Sequence, residues 1–229
     1  MRDFGVSGRN HYAHDGNPPY YAAAPGAVDY LMLRDGAARR LARVNEFLAE
    51  GGLSLFVFDA WRPRAVQSYF HHHWAPREIK RRRPELSGAA LEAEVTRYWA
   101  APSLDAMRPA PHATGGAVDL TLTLRDGTPL FMGSVFDDPT TLAHTDRFEQ
   151  LEADAALSFS AEEAQANRRV LYWAMIEAGF ANHPDEWWHF SYGDQMWARL
   201  TGQKAALWRH RRSHWICADM NARRGKKQP

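Results

Sequence analysis

The clearest pattern in the chain is a strict alternation from Ala117 to Leu124. Val118, Leu120, Leu122 and Leu124 are interleaved with Asp119, Thr121 and Thr123. A period of two puts the aliphatic set on one face and the Asp/Thr set on the other, so the stretch is expected to be a strand. The compact apolar run Leu53–Asp59 suits a second, largely buried strand. Ahead of that run, Leu41, Val44 and Leu48 fall on one stripe with Arg39, Arg40 and Arg43 off it. This predicts a helix over 37–50 that stops at Gly51 and Gly52.

Weaker patterns fill in the rest. Arg62 and Pro63 close the second strand and open a helix to about residue 73, proline being tolerated in a first turn. Residues 80–111 are polar and interrupted by prolines at 84, 102, 109 and 111, with a helix expected over about 87–100. The sequence Arg125-Asp126-Gly127-Thr128 reads as a hairpin turn into 129–132. Residues 133–159 lack a period and are expected to be a long connection. Ser160 and Glu163 form a candidate capping box for a helix to about residue 178, with Val170, Leu171, Ala174, Met175 and Ala178 inward and Gly179 as its stop. Aromatic-rich 186–192 should be a strand, and a last helix should begin after Gly193. Residues 1–30, rich in Gly, Pro, Tyr and His, read as an irregular arm. The order predicts an α+β fold in a single domain over 1–229, with a mostly antiparallel central sheet flanked by helices.

Composition narrows the class. With 229 residues, 45% hydrophobic and 12% aromatic, the chain has material for one full core, and disorder is excluded. The balance of 28 basic and 27 acidic residues gives +1 and no general attraction to nucleic acid. Basic residues gather in the last 25 or so positions, from about 205 to 229, and read as a solvated helix end and tail. The single cysteine, Cys217, excludes an intrachain disulfide and fits a reducing compartment. The first ten residues carry no apolar run, and no stretch approaches eighteen apolar residues. A cytoplasmic protein without a membrane span is therefore expected.

Most of the eleven histidines need no special role. His71, His72 and His73 are adjacent on a predicted helix, cannot converge on one ion, and are taken as surface. His11 and His14 lie in the arm, while His144, His183, His210 and His214 lack ligand-type neighbours. His112 and His189 differ in their company. His112 is followed by Ala-Thr-Gly-Gly and the strand carrying Asp119, and the glycines permit a turn tight enough for the two to face each other. Glu186-Trp187-Trp188-His189 sets two polar groups in an aromatic strand, where each needs a partner. Positions three apart face opposite sides of a regular strand, so Glu186 and His189 can share a site only through a bulge or a loop at the strand entry. His112, Asp119 and His189 would give three ligands and an open fourth position, the catalytic pattern for zinc, with Glu186 left to deprotonate a water. Taken alone, Asp119 can equally be a strand residue bonded to a neighbouring backbone.

Four segments carry a resemblance. Phe58-Asp59-Ala60-Trp61-Arg62-Pro63, His112 through Leu122, Met132 through Asp137, and Asn167-Arg168-Arg169 through Glu186-Trp187-Trp188-His189-Phe190 resemble, in order, the D-alanyl-D-alanine dipeptidase family. The likeness spans about residues 29–190. It implies one zinc ion per chain held by His112, Asp119 and His189, with Glu186 as general base. It also implies that Arg62 stabilises the tetrahedral intermediate and that Asp59 and Asp137 are acidic positions near the substrate, Asp137 holding its free ammonium. One departure matters: the family has a serine two residues before the first histidine, and this chain has Ala110. That serine belongs to the substrate pocket, so the resemblance carries the hydrolytic chemistry further than the choice of dipeptide.

The function expected is hydrolysis of small D,D-dipeptides such as D-Ala-D-Ala. Two rivals stay open from the sequence. One is a D,D-carboxypeptidase acting on longer peptidoglycan stems, against which the missing secretion signal argues. The other is a zinc-containing binding module without turnover, which would have no use for Glu186. The sequence leaves the oligomeric state open.

Overall fold

A computed structural model describes residues 4–105 and 108–208, together with the backbone of 215–218. The strands are β1 (Ser7–Gly8), β2 (Leu31–Arg34), β3 (Leu53–Asp59), β4 (Ala117–Leu124), β5 (Ala181–His183), β6 (Glu186–Ser191) and β7 (Trp215–Ala218). The helices are α1 (Asp35–Glu50), α2 (Arg64–Tyr69), α3 (Ala75–Arg82), α4 (Gly88–Tyr98), α5 (Pro111–Thr114), α6 (Arg147–Asp154), α7 (Phe159–Glu177) and α8 (Gln195–Leu200).

The main sheet has the order β1-β3-β4-β6-β5. Only the β1–β3 pair is parallel; the other neighbours are antiparallel. The fold is therefore α+β with a mixed, mostly antiparallel sheet. β2 and β7 form a separate antiparallel pair. The basic cluster from 209 to 227 expected as a tail lies outside the described residues, as do the side chains of His210, His214 and Cys217.

The alternation in β4 has the expected consequence, with one addition. Val118, Leu120 and Leu122 are fully buried with Leu55 and Val57 of β3, and they join Leu41, Val44 and Leu48 of α1 and Leu171 and Met175 of α7. Each such side chain contributes roughly 1.5–3 kcal/mol. The opposite face is buried too, since Asp119, Thr121 and Thr123 are 1–4% exposed. The arm and loops cover that side with aromatic rings. Phe70 stacks on Trp99 at 4.4 Å, Phe58 stacks on Phe136 at 4.7 Å, and Tyr12 sits 5.1 Å from Phe70. A strand with polar residues on a covered face marks a place where chemistry is assembled.

Several local expectations are corrected. The helix opened at Pro63 does not end near residue 73; it widens through a π-helical turn, Phe70–Trp74, and continues as α3. The wider turn falls just before Pro76, which has no N–H to give to a regular ladder. His71 is not a surface residue. It is 2% exposed, and its Nδ1 donates to the Trp99 carbonyl at 2.7 Å, while His72 and His73 are exposed. The long connection 133–159 contains α6, a short helix whose only buried residue is Phe148, so it left no period to read. α7 is capped by Ser158, not Ser160, through a bond from the Ala161 N–H, and Val170 on it faces solvent. Strand β5 has only three residues and no counterpart among the expected elements.

Candidate metal centre

Three adjacent strands bring the chemistry into one row. Asp119 on β4 pairs in register with Asp59 on β3 and with His189 on β6. Asp59 reaches that row through a bulge at Phe58, since Val57 pairs with Leu120 and Asp59 with the very next residue, Asp119. His112 arrives from α5. That single turn stops at Gly115 with φ +73°, a left-handed conformation that favours glycine. Gly116 then passes so close to the Tyr192 carbonyl that a Cβ there would sit 2.7 Å from it. The Gly-Gly pair thus folds His112 back over the strand that follows it.

The bulge required at the entry of β6 is present. Asn182 pairs with Phe190 while its neighbour His183 pairs with Glu186, so Trp187, Trp188 and His189 have no register partner on β5. The Asn182 side-chain amide fills the gap, donating to the carbonyls of Glu186 at 3.2 Å and His189 at 3.0 Å. Glu186 and His189 consequently face one space, with Oε2 3.5 Å from Nδ1.

His112, Asp119 and His189 form the group of described residues whose ligand atoms converge closely enough to hold a metal ion. All three are buried. His112 Nε2 lies 3.2 Å from Asp119 Oδ2 and 3.1 Å from His189 Nδ1, and His189 Nδ1 lies 3.0 Å from Asp119 Oδ1. Each separation is near the edge, roughly 3.3 Å, of a tetrahedron with ~2.05 Å metal–nitrogen bonds, although the two Asp119 distances involve different carboxylate oxygens and so bound a site without defining one face. The proton positions point the same way. His112 Nδ1 is 2.6 Å from the Ala60 carbonyl, which can only accept, so Nδ1 carries the proton and Nε2 offers a lone pair. Ser191 Oγ stands 3.4 Å from His189 Nε2 and is able to accept an N–H there, the tautomer in which Nδ1 offers the second lone pair. Asp119 Oδ1 is buried without a hydrogen-bond donor. Two imidazole lone pairs and a carboxylate aimed at one point suit a divalent cation and are costly without one.

Arg62 is buried beside this group. Its Nε donates to Asp59 Oδ2 at 2.7 Å, NH1 to Gln67 Oε1 at 3.0 Å, and NH2 to both Asp119 Oδ2 and the Tyr12 hydroxyl at 3.0 Å. The Trp99 ring covers its guanidinium at 5.0 Å. Asp59, expected among the substrate contacts, has no exposed surface. Its Oδ2 takes the Arg62 bond and lies 3.3 Å from His112 Nδ1, and its Oδ1 accepts from Asn10 at 3.4 Å. It stands behind the site and orients Arg62 and the His112 ring.

Asp137 lies on the far side, with φ +57°, and Oδ2 accepts from Tyr12 at 2.8 Å and Tyr20 at 2.7 Å. Burial, and then the charge of Asp119, push its carboxyl up to about 7 against the pull of Arg62 and the two tyrosines. Burial likewise raises Glu186 to about 7, with Asp119 and Asp137 adding to it and His189 opposing. The Glu186 side chain retains 35% of its surface, and the water there limits that shift. Asp119 goes the other way. Burial alone would raise it, but in the metal-free site the charge of His112 and His189, and hydrogen bonds from their facing ring nitrogens when these carry protons in place of a metal, hold it well below the usual carboxylate range.

Sequence reasoning missed the supports. Tyr12 and Tyr20 sit in the arm, where no period singles them out. Gln67 ties Arg62 to the Ala100 carbonyl, and Asn182 makes the bulge. Arg168 donates to the carbonyls of Met132, His144 and Leu142 at 2.7–2.8 Å, closing both ends of the loop that carries Asp137.

Residues 22–205 match the family described as D-Ala-D-Ala dipeptidase. The chain is similar to a D-alanyl-D-alanine dipeptidase of Synechocystis sp., 35% identical over 76% of this chain and 74% of that protein. It is similar also to those of Enterococcus faecium, 30% identical over 69% and 71%, and Streptomyces coelicolor, 31% identical over 68% and 70%.

Proposed function

The chain belongs to the D-Ala-D-Ala dipeptidase family of peptidases, and from that premise we propose that it hydrolyses small D,D-dipeptides such as D-Ala-D-Ala with one zinc ion. The observation that carries the reading is the convergence of His112 Nε2, Asp119 and His189 Nδ1 beside a carboxylate, Glu186, that is not one of the three. When bound there, zinc supplies Lewis acidity that acidifies a water and polarises the scissile carbonyl.

The remaining steps belong to the chain's own side chains. Glu186 takes a proton from the attacking water and returns it to the leaving amine. A carboxyl near 7 suits both directions at neutral pH. Arg62, fixed by Asp59, Gln67 and Tyr12, keeps a permanent positive charge beside the developing oxyanion. Asp137 holds the substrate ammonium, and Tyr12 and Tyr20, both bonded to Oδ2, orient it for that contact. Asp59 acts through Arg62 and His112 and does not touch substrate. With Ala110 in place of the family's serine, the substrate pocket lacks that hydroxyl. The expected location remains cytoplasmic, and among the described residues no helix is long and apolar enough to cross a membrane.

The test is amine release from a panel of D,D-, L,D- and L,L-dipeptides. Zinc-loaded protein should cleave the D,D set, chelation should stop it, and added zinc should restore it. Cleavage that persists after complete removal of metal, or that is confined to L,L-dipeptides, contradicts the reading.

A further inference from the structure

Glu186 and Asp137 share the wall of a cavity of about 140 Å³ that the metal ligands do not line. Its other walls include Trp74, Ile79, Tyr98, Trp99 and Trp188. A single water needs about 10–15 Å³ of such space, so the cavity holds much more than one methyl group. The charges at its helical edge are paired with one another. Arg82 reaches Glu78 at 2.8 Å, and Arg83 and Arg97 reach Glu94 at 3.3 and 3.2 Å. The rings and Ile79 therefore offer apolar and aromatic contact, beside a polar edge that includes Asp138, Thr140, Thr141 and Asp185.

Its place relative to the substrate follows from covalent connectivity. In a dipeptide, one α-carbon joins the free ammonium to the scissile carbonyl. If Asp137 holds the ammonium and Glu186 serves the water at that carbonyl, the α-carbon between them lies at the mouth of this cavity. The side chain it bears is then the group that enters.

We infer that the cavity is a specificity subsite for the amino-terminal residue, and that the protein prefers dipeptides whose first residue carries a large aliphatic or aromatic side chain. This rests on the dipeptidase reading and adds the substrate class to it. In an apolar pocket one methylene is worth about 10- to 200-fold in kcat/KM, so several together exceed the lower figure.

The experiment compares kcat/KM of the zinc-loaded protein on D-Ala-D-Ala, D-Leu-D-Ala, D-Phe-D-Ala, D-Lys-D-Ala and D-Ala-D-Leu. D-Leu-D-Ala should exceed D-Ala-D-Ala by about tenfold or more, while D-Ala-D-Leu shows no such gain. D-Lys-D-Ala is included because Asp138 and Asp185 also border the cavity, and it should fall below D-Leu-D-Ala. Ile79→Phe, which fills the space, should lower the ratio of D-Leu-D-Ala to D-Ala-D-Ala. Tyr98→Ala, at a half-buried wall position, should shift preference toward D-Phe-D-Ala. Cleavage of D-Ala-D-Ala with no gain for larger first residues, a preference for D-Lys-D-Ala, or a ratio untouched by both substitutions overturns the subsite and leaves the dipeptidase reading intact. Absence of cleavage for every D,D-dipeptide overturns that reading, and the subsite with it.

Discussion

At the scale of single residues, the site works by setting carboxylates of one kind into different surroundings. Asp119 faces two imidazoles and stays ionised, whereas Glu186 and Asp137, further from any cation, are pushed up to about 7. Glu186→Gln should retain the metal and lower kcat by about 10²–10⁴-fold. Parallel zinc analysis and initial rates check this. For Asp137 the unfolded value is near 4 and the folded value near 7, so the folded state holds the proton more tightly. Its contribution to stability is complete below about pH 4 and is lost as pH rises through about 7. Glu186 acts in the same direction. His183, held down to about 4 by burial, acts oppositely, so the test is a difference: from pH 5 to 8 the Tm of the metal-free unaltered protein should fall relative to that of Asp137→Asn. A Tm difference that stays constant or grows in favour of the unaltered protein over that range contradicts the assignment.

At the scale of elements, the site depends on irregularities. Two bulges, at Phe58 and at the entry of β6, place Asp59 and Glu186, and the loop closed by Arg168 presents Asp137. Arg168 is buried, packed between Phe148 and Trp187 at 4.7 and 5.5 Å, and bonded among the described residues to the three carbonyls of Met132, His144 and Leu142. Arg168→Met leaves those carbonyls unpaired and should cost roughly 3 kcal/mol or more. Because the loop ends are released while the ligands on α5, β4 and β6 make no bond to Arg168, KM should rise more than kcat falls, with zinc affinity retained. Arg168→Lys, which reaches fewer of the three carbonyls, should lie between. The regular parts of these elements were legible because burial imposes a period on them: α1, β3 and β4 follow their apolar spacing closely. The β6 bulge was legible only indirectly, as the condition under which Glu186 and His189 could share a face. β5 and α6 left no signal, having three residues and one buried side chain respectively.

At the scale of the whole molecule, residues distant in sequence are drawn to one aromatic-covered face of the sheet. The arm gives Asn10, Tyr12 and Tyr20, of which the latter two bond Asp137, 125 and 117 positions away. Residues 22–205 match the family, so these three lie outside the matched stretch while contributing to the site within it. The ligand types could be read from His112, Asp119 and His189 because a metal site demands particular atoms at particular places. Their supports could not, since a tyrosine in an irregular arm looks the same whether it is solvated or holds a carboxylate. Tyr12→Phe and Tyr20→Phe together should raise KM for dipeptides by about tenfold or more, as each removes a hydrogen bond to a charged group, and steady-state kinetics would show it. The central claim is that His112, Asp119 and His189 hold zinc for a reaction that Glu186 serves. It is tested most directly by measuring bound zinc and D-alanine release from D-Ala-D-Ala side by side, for the unaltered protein, His189→Ala and Glu186→Gln. The account predicts one zinc and turnover in the first, neither in the second, and one zinc without turnover in the third. Full turnover in either variant, or unaltered zinc content in His189→Ala, would contradict it.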